Sequence, residues 1–490
     1  MNEVDQSIGR CHWVTLAGCA MNEATRRSVL EMAGAVLAMT ISGCSAGQQR
    51  MRMARTQRMK QSARDRLEQA FSRIVDPAGE GTRAYLTLYR KSARAAADAA
   101  DGRARAGATL GPLDGVLVSI KDLFDVAGEP TRAGSKVLVD AAPALADAPV
   151  VQRLRGAGAV IVGKTNMSEF AFSGVGANPH YGTPGNPADR ARVPGGSTSG
   201  GAVAVADAMC EIAIGTDTGG STRIPAALCG LVGYKPTKCR VPTAGAFPLS
   251  PTLDSVGPMA MSVQACANAD AVMAGESPWI LEPASLEGLR LRMPQGLPLG
   301  DLDGTVSARF GEAIEQLGRA GVRISEAQFP IFEEMVRVNS TAPLAVVESY
   351  PIHRERLATR AADYDPFVRL RIEGGRAVSA AHYAKMLDDR NKLVQVMDAR
   401  MSDFDALVLP TTPIVAPTIV EVSTIEGFNA KNRLLLRNTA IANFFDLCAI
   451  SLPLPQAGGL PTALMLVARR GQDRPLFKMA SAVERLLSGA

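Results

Sequence analysis

Three short stretches of this chain hold residues able to do chemistry. GPLDGVLVSIKDLFDVAG centres on Lys121. PGGSTSGGAVAVADA places Ser197 and Ser199 behind a glycine pair. IGTDTGGSTRIP, Ile214 to Pro225, crowds three glycines around Asp217 and Ser221. A serine hydroxyl is a weak nucleophile until a base takes its proton. The four histidines (His12, His180, His353 and His382) are far apart in sequence. Lysine can be that base only when neutral, and lowering its pKa from about 10.4 to near 7 costs roughly 4 kcal/mol. Burial beside hydroxyls and backbone dipoles supplies such a term. A second serine would relay the proton from the nucleophile to the lysine. The N–H groups of Thr218, Gly219, Gly220 and Ser221 could converge on a developing oxyanion, each worth about 3 kcal/mol. Each motif alone reads as a turn or a surface lysine; the three together do not.

Two other motifs match by letter only. Gly158 to Thr165 fits G-x-x-x-x-G-K-[ST], but its variable positions are Ala-Val-Ile-Val. They form a strand, not the flexible backbone a phosphate loop needs. Gly43 to Gly47 fits G-x-S-x-G without a strand before it, so it is no nucleophile elbow. The histidines show no HxH or HExxH spacing and the eight cysteines form no CxxC pair, so nothing points to a metal.

The elements that must position these residues follow from periodicity. RMKQSARDRLEQAFSRI reads as a first amphipathic helix and RAYLTLYRKSARAAADAADGRARAG as a second, ending at glycine. VLVSIKD, AVIVGKT, CEIAIGTD, GLRLRMP, GVRISEAQ, DALVLPTTP and LCAISLP read as strands. VVQRLRGAG is a helix before its strand, and residues 305–400 are mainly helical. Strands alternating with helices argue an α/β fold with a mostly parallel or mixed sheet.

The stretch GGSTSGGAVAVADAMCEIAIGTDTGGSTRIPAALCGLVGYKPT resembles the signature of the amidase signature family, whose members use a serine, a cis-serine and a lysine. SIKDLFDVAG, GKTNMSEFAFSG, GNP at Gly185–Pro187, ALVLPTTPIVAP and GLPTALMLVA extend the likeness over about residues 62–488. The resemblance implies one large α/β/α domain over residues 59–490, with a mixed central sheet flanked by helices. It implies a hydrolase of linear amides, with no metal and no organic cofactor. By resemblance Ser221 is the acylated nucleophile. Ser197 is the bridging serine, reached through a cis peptide bond after Gly196, and Lys121 is the base. Thr218, Gly219 and Gly220 become oxyanion-hole donors. Asp217 and Arg223 become buried polar residues that brace the loop, and Ser199 a supporting residue. Phe172 and Ser173 fall on the acyl side of the pocket. The glutaminase-like component of a tRNA-dependent amidotransferase resembles the same family, as do allophanate-type hydrolases of carboxylated ureas.

Two regions depart from the family pattern or say little. In NFFDLCAISLP, Asp446 and Cys448 stand where glycine and proline are common. Arg369, Arg371 and Arg376 are either carboxylate ligands or a solvated helix face, the second being the commoner arrangement.

Formal net charge is +5, and residues 1–60 carry eight basic and four acidic groups, so the rest of the chain is nearly neutral. That gives little reason to expect nucleic acid. The expected partner is a small-molecule amide, and a homodimer stays open. Within residues 1–58, Arg26-Arg27, a short apolar run and Ile41-Ser42-Gly43-Cys44 have the layout of a twin-arginine-like export signal with a lipidated Cys44. The run is too short to span a bilayer. The segment is a periplasmic or lipid-anchoring signal, or else an extension upstream of a start near Met53 or Met59 of a cytoplasmic protein.

Overall fold

The computed structural model describes residues 61–455 and 458–489. The expected signal, with Arg26, Arg27 and Cys44, lies outside the described residues, as does the Gly43–Gly47 motif.

Eleven strands form a single mixed sheet. In chain order they are β1 (Tyr85–Leu88), β2 (Leu117–Lys121), β3 (Val160–Thr165), β4 (Ile212–Thr216), β5 (Val232–Lys235) and β6 (Val256–Ala260). They continue as β7 (Arg290–Gln295), β8 (Arg323–Gln328), β9 (Ala406–Pro410), β10 (Cys448–Pro453) and β11 (Ala463–Ala468). The spatial order is β1-β3-β2-β4-β6-β5-β10-β11-β9-β7-β8. The seven strand readings from sequence are all present, and helices flank the sheet, so the α/β class holds. β2 runs parallel to β3 and β4, and β7 parallel to β8 and β9. The strands between those groups pair antiparallel. The sheet is therefore mixed rather than mostly parallel.

β2, β3 and β4 are buried at every position. That is why apolar residues occupy both faces of each strand instead of alternating with polar ones. The Gly158–Thr165 decoy is a sheet strand preceded by a turn, and Lys164 is buried with its amine toward the Pro130 carbonyl at 3.5 Å.

One sequence reading fails. The stretch from Arg83 to Gly107 is not one helix. Tyr85–Leu88 is edge strand β1, antiparallel to β3, and the helix begins only at Arg90. Tyr-Leu-Thr-Leu favours a strand on a half-buried surface, and the ladder with β3 takes up its backbone groups.

Two short helices lie under the sheet next to the glycine-rich stretches. Ser199–Ala206 is buried from Ser199 through Val205, and Arg223–Cys229 is buried throughout. The first carries only small and β-branched residues, which suits a helix enclosed on all sides. A Cβ at Gly200 would stand 2.3 Å from the Ala84 carbonyl oxygen, so the helix can approach that backbone only as glycine.

Candidate active site

Lys121 ends β2, and Thr216 ends its parallel neighbour β4. This register puts both side chains at one end of the sheet. Lys121 is fully buried, and its Nζ donates to Ser197 Oγ at 2.7 Å and to Thr216 Oγ1 at 3.0 Å. Burial pulls the amine down to about 7, although the charges of Asp217 and Asp254 oppose the shift. An amine with that pKa is largely neutral in mildly alkaline solution and can accept a proton.

Ser197 is also fully buried, and the Gly196–Ser197 peptide bond is cis. Its carbonyl accepts from the Ser168 N–H at 3.0 Å, and the Gly196 N–H donates to the Gly174 carbonyl at 2.8 Å. The segment 168–174 thus grips the serine from behind. The Thr198 N–H reaches the Ser221 carbonyl at 3.4 Å, which joins the two glycine-rich stretches directly.

Ser221 sits between β4 and the helix Arg223–Cys229, 4% exposed. Its loop is fixed from several sides. Asp217 and Arg223 form an ion pair at 2.8 Å with neither side chain exposed. Asp217 also accepts from the Thr222 hydroxyl at 2.9 Å and from Asn443 Nδ2 at 2.9 Å. Burial by itself would raise the Asp217 carboxyl, but the charge and hydrogen bonds of Arg223 override it and hold the group well below the usual carboxylate range. Arg223 also donates to the Thr439 carbonyl and to Asn443 Oδ1, at 2.8 and 2.7 Å. The Thr218 hydroxyl donates to Asp254 at 2.5 Å, and the Thr439 hydroxyl donates to the Gly219 carbonyl at 2.6 Å. Gly220 has φ of +138°, and a Cβ there would lie 2.2 Å from Thr439 Oγ1. Glycine is required by both backbone and space.

Ser199 opens the neighbouring helix, and its hydroxyl is buried with no hydrogen-bond partner among the described residues. Phe172 and Ser173 are buried in the segment that wraps Ser197. Ser173 Oγ approaches Asn432 Oδ1 at 3.4 Å, and Asn432 also accepts from the Gly174 N–H at 2.8 Å. The three arginines of the helical section separate. Arg369 donates to the Ala361 carbonyl at 3.4 Å and lies 3.8 Å from Glu373; Arg376 is exposed. Arg371 instead stands over the Phe172 ring, 4.7 Å from its centroid. The two departures from the family pattern are held structurally. Asp446 has φ of +56° and accepts from Arg390 at 2.5 Å. The Cys448 thiol is buried at the start of β10, toward the Ala468 and Arg469 carbonyls.

Thr216, Asp254, Thr439 and Asn443 take part in this arrangement without having been picked out from sequence. Thr216 lies in the quoted strand CEIAIGTD, and the parallel register with Lys121 was the signal available for it. The other three come from distant segments, and no spacing connects them to the loop. Among the described residues, no three His, Cys, Asp or Glu side chains gather as a metal site. No described helix is long and apolar enough to cross a membrane.

Comparison with known proteins gives a consistent picture. The family model described as Amidase matches residues 66–477. A 2-amino-5-chloromuconic acid deaminase of Comamonas testosteroni is 35% identical over 413 residues, covering 82% of this chain and 88% of the relative. A glutamyl-tRNA(Gln) amidotransferase component from Symbiobacterium thermophilum is 35% identical over 469 residues, covering 87% of this chain and 93% of its own. A solved amidase structure superposes with a TM-score of 0.78 at 31% identity, covering 90% of this chain and 99% of that one. With its sheet, its glycine-rich loops and most of its length matched in this way, the chain belongs to the amidase signature family, whose members act on carbon–nitrogen bonds.

Proposed function

We propose that this chain hydrolyses a carboxamide to a carboxylate and ammonia or an amine through a serine acyl-enzyme. Ser221 attacks the amide carbonyl. Its proton passes to Ser197 and from there to neutral Lys121. The oxyanion forms against the N–H groups of Thr218, Gly219 and Gly220. The proton held by Lys121 returns through Ser197 to the departing nitrogen, and the C–N bond breaks. Water then attacks the ester carbon, losing its proton along the same path, and the acid leaves Ser221 free. Asp217 and Arg223 keep the loop in shape, Ser199 supports it, and Phe172 and Ser173 border the acyl group.

One observation carries this reading: a lysine with no exposed surface and an amine held near 7, in contact with the hydroxyl of Ser197. A surface or salt-bridged lysine would have neither property. The test is labelling by a fluorophosphonate probe together with ammonia release from a panel of aliphatic, aromatic and urea-type amides. Wild-type protein should label once, and Ser221→Ala should not label at all. Labelling that survives in Ser221→Ala would refute the assignment.

A second reading is favoured by the relative that is named for an amidotransferase. The same acyl-enzyme chemistry would then generate ammonia for a partner. Purified by itself, such a component would release little ammonia from glutamine, whereas a free-standing amidase turns over its own amide unaided.

A further inference from the structure

Two buried carboxylates fasten the helical section of the chain to the loops of the site. Glu169 is one. Its Oε2 accepts from the Asp365 N–H at 2.7 Å, and Asp365 caps the helix Pro366–Glu373. Its Oε1 accepts from Ser135 Oγ at 2.6 Å and contacts His180 Nε2 at 2.9 Å. Glu169 follows Ser168, whose N–H holds the Ser197 carbonyl.

Glu348 is the other, and its bonds lead to the loop of Ser221. It lies on the helix Leu344–Arg360 and is 6% exposed. Its Oε2 accepts from Ser250 Oγ at 2.5 Å and from the Thr252 N–H at 3.0 Å. Its Oε1 accepts from the Tyr383 hydroxyl at 2.7 Å and from the Thr252 hydroxyl. Tyr383 belongs to the helix Ala380–Arg400, so Glu348 ties two helices to one turn. That turn holds a second carboxylate. Asp254 accepts from the Leu249 and Ser250 N–H groups, both at 3.0 Å, and from the Thr218 hydroxyl at 2.5 Å. Ser250 is therefore shared, its N–H going to Asp254 and its hydroxyl to Glu348. Neither carboxylate has an ion-pair partner among the described residues; hydroxyl and amide donors satisfy both. Ser255 completes the joint. The Asp217 N–H donates to the Ser255 carbonyl at 2.8 Å, and the Ser255 N–H donates back to the Asp217 carbonyl at 3.2 Å. Thr218 is thus gripped through its own hydroxyl and through the residue before it. Its N–H meets no acceptor among the described residues, which leaves it open to an oxyanion.

We infer that Glu348 is a positioning residue for the oxyanion hole, acting through Ser250 and Asp254 on Thr218. Hydrogen bonds to a charged acceptor are stronger than neutral ones, which suits a side chain that must fix a turn. A reacting group misplaced by about 1 Å can cost about 100-fold in rate. This inference rests on the amide-hydrolase reading.

The experiment follows labelling of Ser221 by the fluorophosphonate as a function of probe concentration, and so needs no knowledge of the natural amide. It compares wild type, Glu348→Ala, Glu348→Gln, Ser250→Ala and the double alanine variant. Three quantities are read: the rate at saturating probe, the half-saturating concentration and the final labelled fraction. In Glu348→Ala and in Ser250→Ala the saturating rate should fall at least about tenfold while the half-saturating concentration stays within about threefold, because the loss is in stabilising developing charge and not in binding. The double variant should be no slower than the slower single one, since both cut the same link. Glu348→Gln should recover most of the rate. The Thr252 and Tyr383 hydroxyls that donate to Oε1 can turn and accept from the amide nitrogen. A purely structural role would lower the final labelled fraction and leave the rate of the remaining sites untouched; that result overturns the inference, as does a wild-type rate in both single variants. Should Glu348→Ala fail to fold, Ser250→Ala decides, because it removes one hydroxyl and keeps the carboxylate. A wild type that takes no label overturns the acyl-enzyme reading and this inference with it, whereas a labelled wild type with undiminished variants overturns this inference alone.

Discussion

Lys121 Nζ lies 2.7 Å from Ser197 Oγ, and neither residue has exposed surface. A protonated amine there cannot take a proton, so the proposed reaction needs the neutral form. Burial sets its pKa to about 7. The kcat/KM of wild-type protein should therefore rise with pH along a limb centred near 7. Asp254 is pushed up to about 6 by burial, and its charge favours the protonated amine. Asp254→Asn should shift the limb to lower pH. A pH–rate profile of the two proteins checks this, and a limb that does not move would remove Asp254 from the electrostatics of the site.

The same burial has a consequence for stability. The folded amine has a pKa near 7 and the unfolded one near 10.5. Between those values the unfolded chain binds a proton that the folded chain lacks, so stability rises with pH across that window. Below about 7 the penalty is complete and constant. Lys121→Met removes the penalty while losing two hydrogen bonds, worth about 1 kcal/mol each. At pH 7 the variant should be at least as stable as wild type, and its advantage should shrink toward pH 10. Its turnover should fall at least about a thousandfold, in line with loss of a general base. Urea midpoints at pH 7 and pH 9.5 give the answer; a variant that is much less stable at pH 7 would contradict the burial cost.

Gly220→Ala should damage the loop through two separate causes. Its φ of +138° suits glycine alone, and the new methyl would meet Thr439 Oγ1 at 2.2 Å. The expected cost is about 1–3 kcal/mol, with loss of most fluorophosphonate reactivity at Ser221. Thr439→Ala placed on top should restore little, since the backbone conflict remains. Full recovery in the double variant would show that only crowding mattered.

Local patterns made the sheet strands readable. β2, β3, β4, β9 and β10 are short, mainly apolar runs, and burial on both faces removes the polar–apolar alternation of a half-exposed strand. Tyr85–Leu88 was lost because four residues flanked by helix-favouring sequence carry too little periodicity, and only the ladder with β3 makes them a strand. Lys121, Ser197 and Ser221 stood out because hydroxyls among glycines and a lysine on a strand end are unusual locally. Arg371 was named only together with Arg369 and Arg376, and the sequence could not separate the three. It shares a helix with Arg369, and residues two apart on a helix point in nearly opposite directions. Which of the two faces Phe172 depends on how that helix docks, and Glu169 and Asp365 determine this from nearly 200 positions apart.

The buried Asp217–Arg223 pair provides a last prediction. Removing the cation alone, as Arg223→Met, strands a carboxylate in the interior and should cost about 3–5 kcal/mol. Asp217→Asn/Arg223→Met should be less damaged than Arg223→Met, because the stranded charge is gone. The pH response follows from the same pair. In wild type the Asp217 carboxyl is held below its ordinary value, so its contribution is present above the unfolded pKa and is lost as the solution is acidified through the folded one. In Arg223→Met burial is unopposed by its main partner and the folded pKa moves above the ordinary value. The sign then reverses for this group, and between pH 7.5 and 5 Arg223→Met should gain more stability on acidification than wild type does. Urea unfolding of the wild type and both variants at those two pH values measures it. Parallel responses in wild type and Arg223→Met would mean that Asn443 and Thr222, not Arg223, hold the charge.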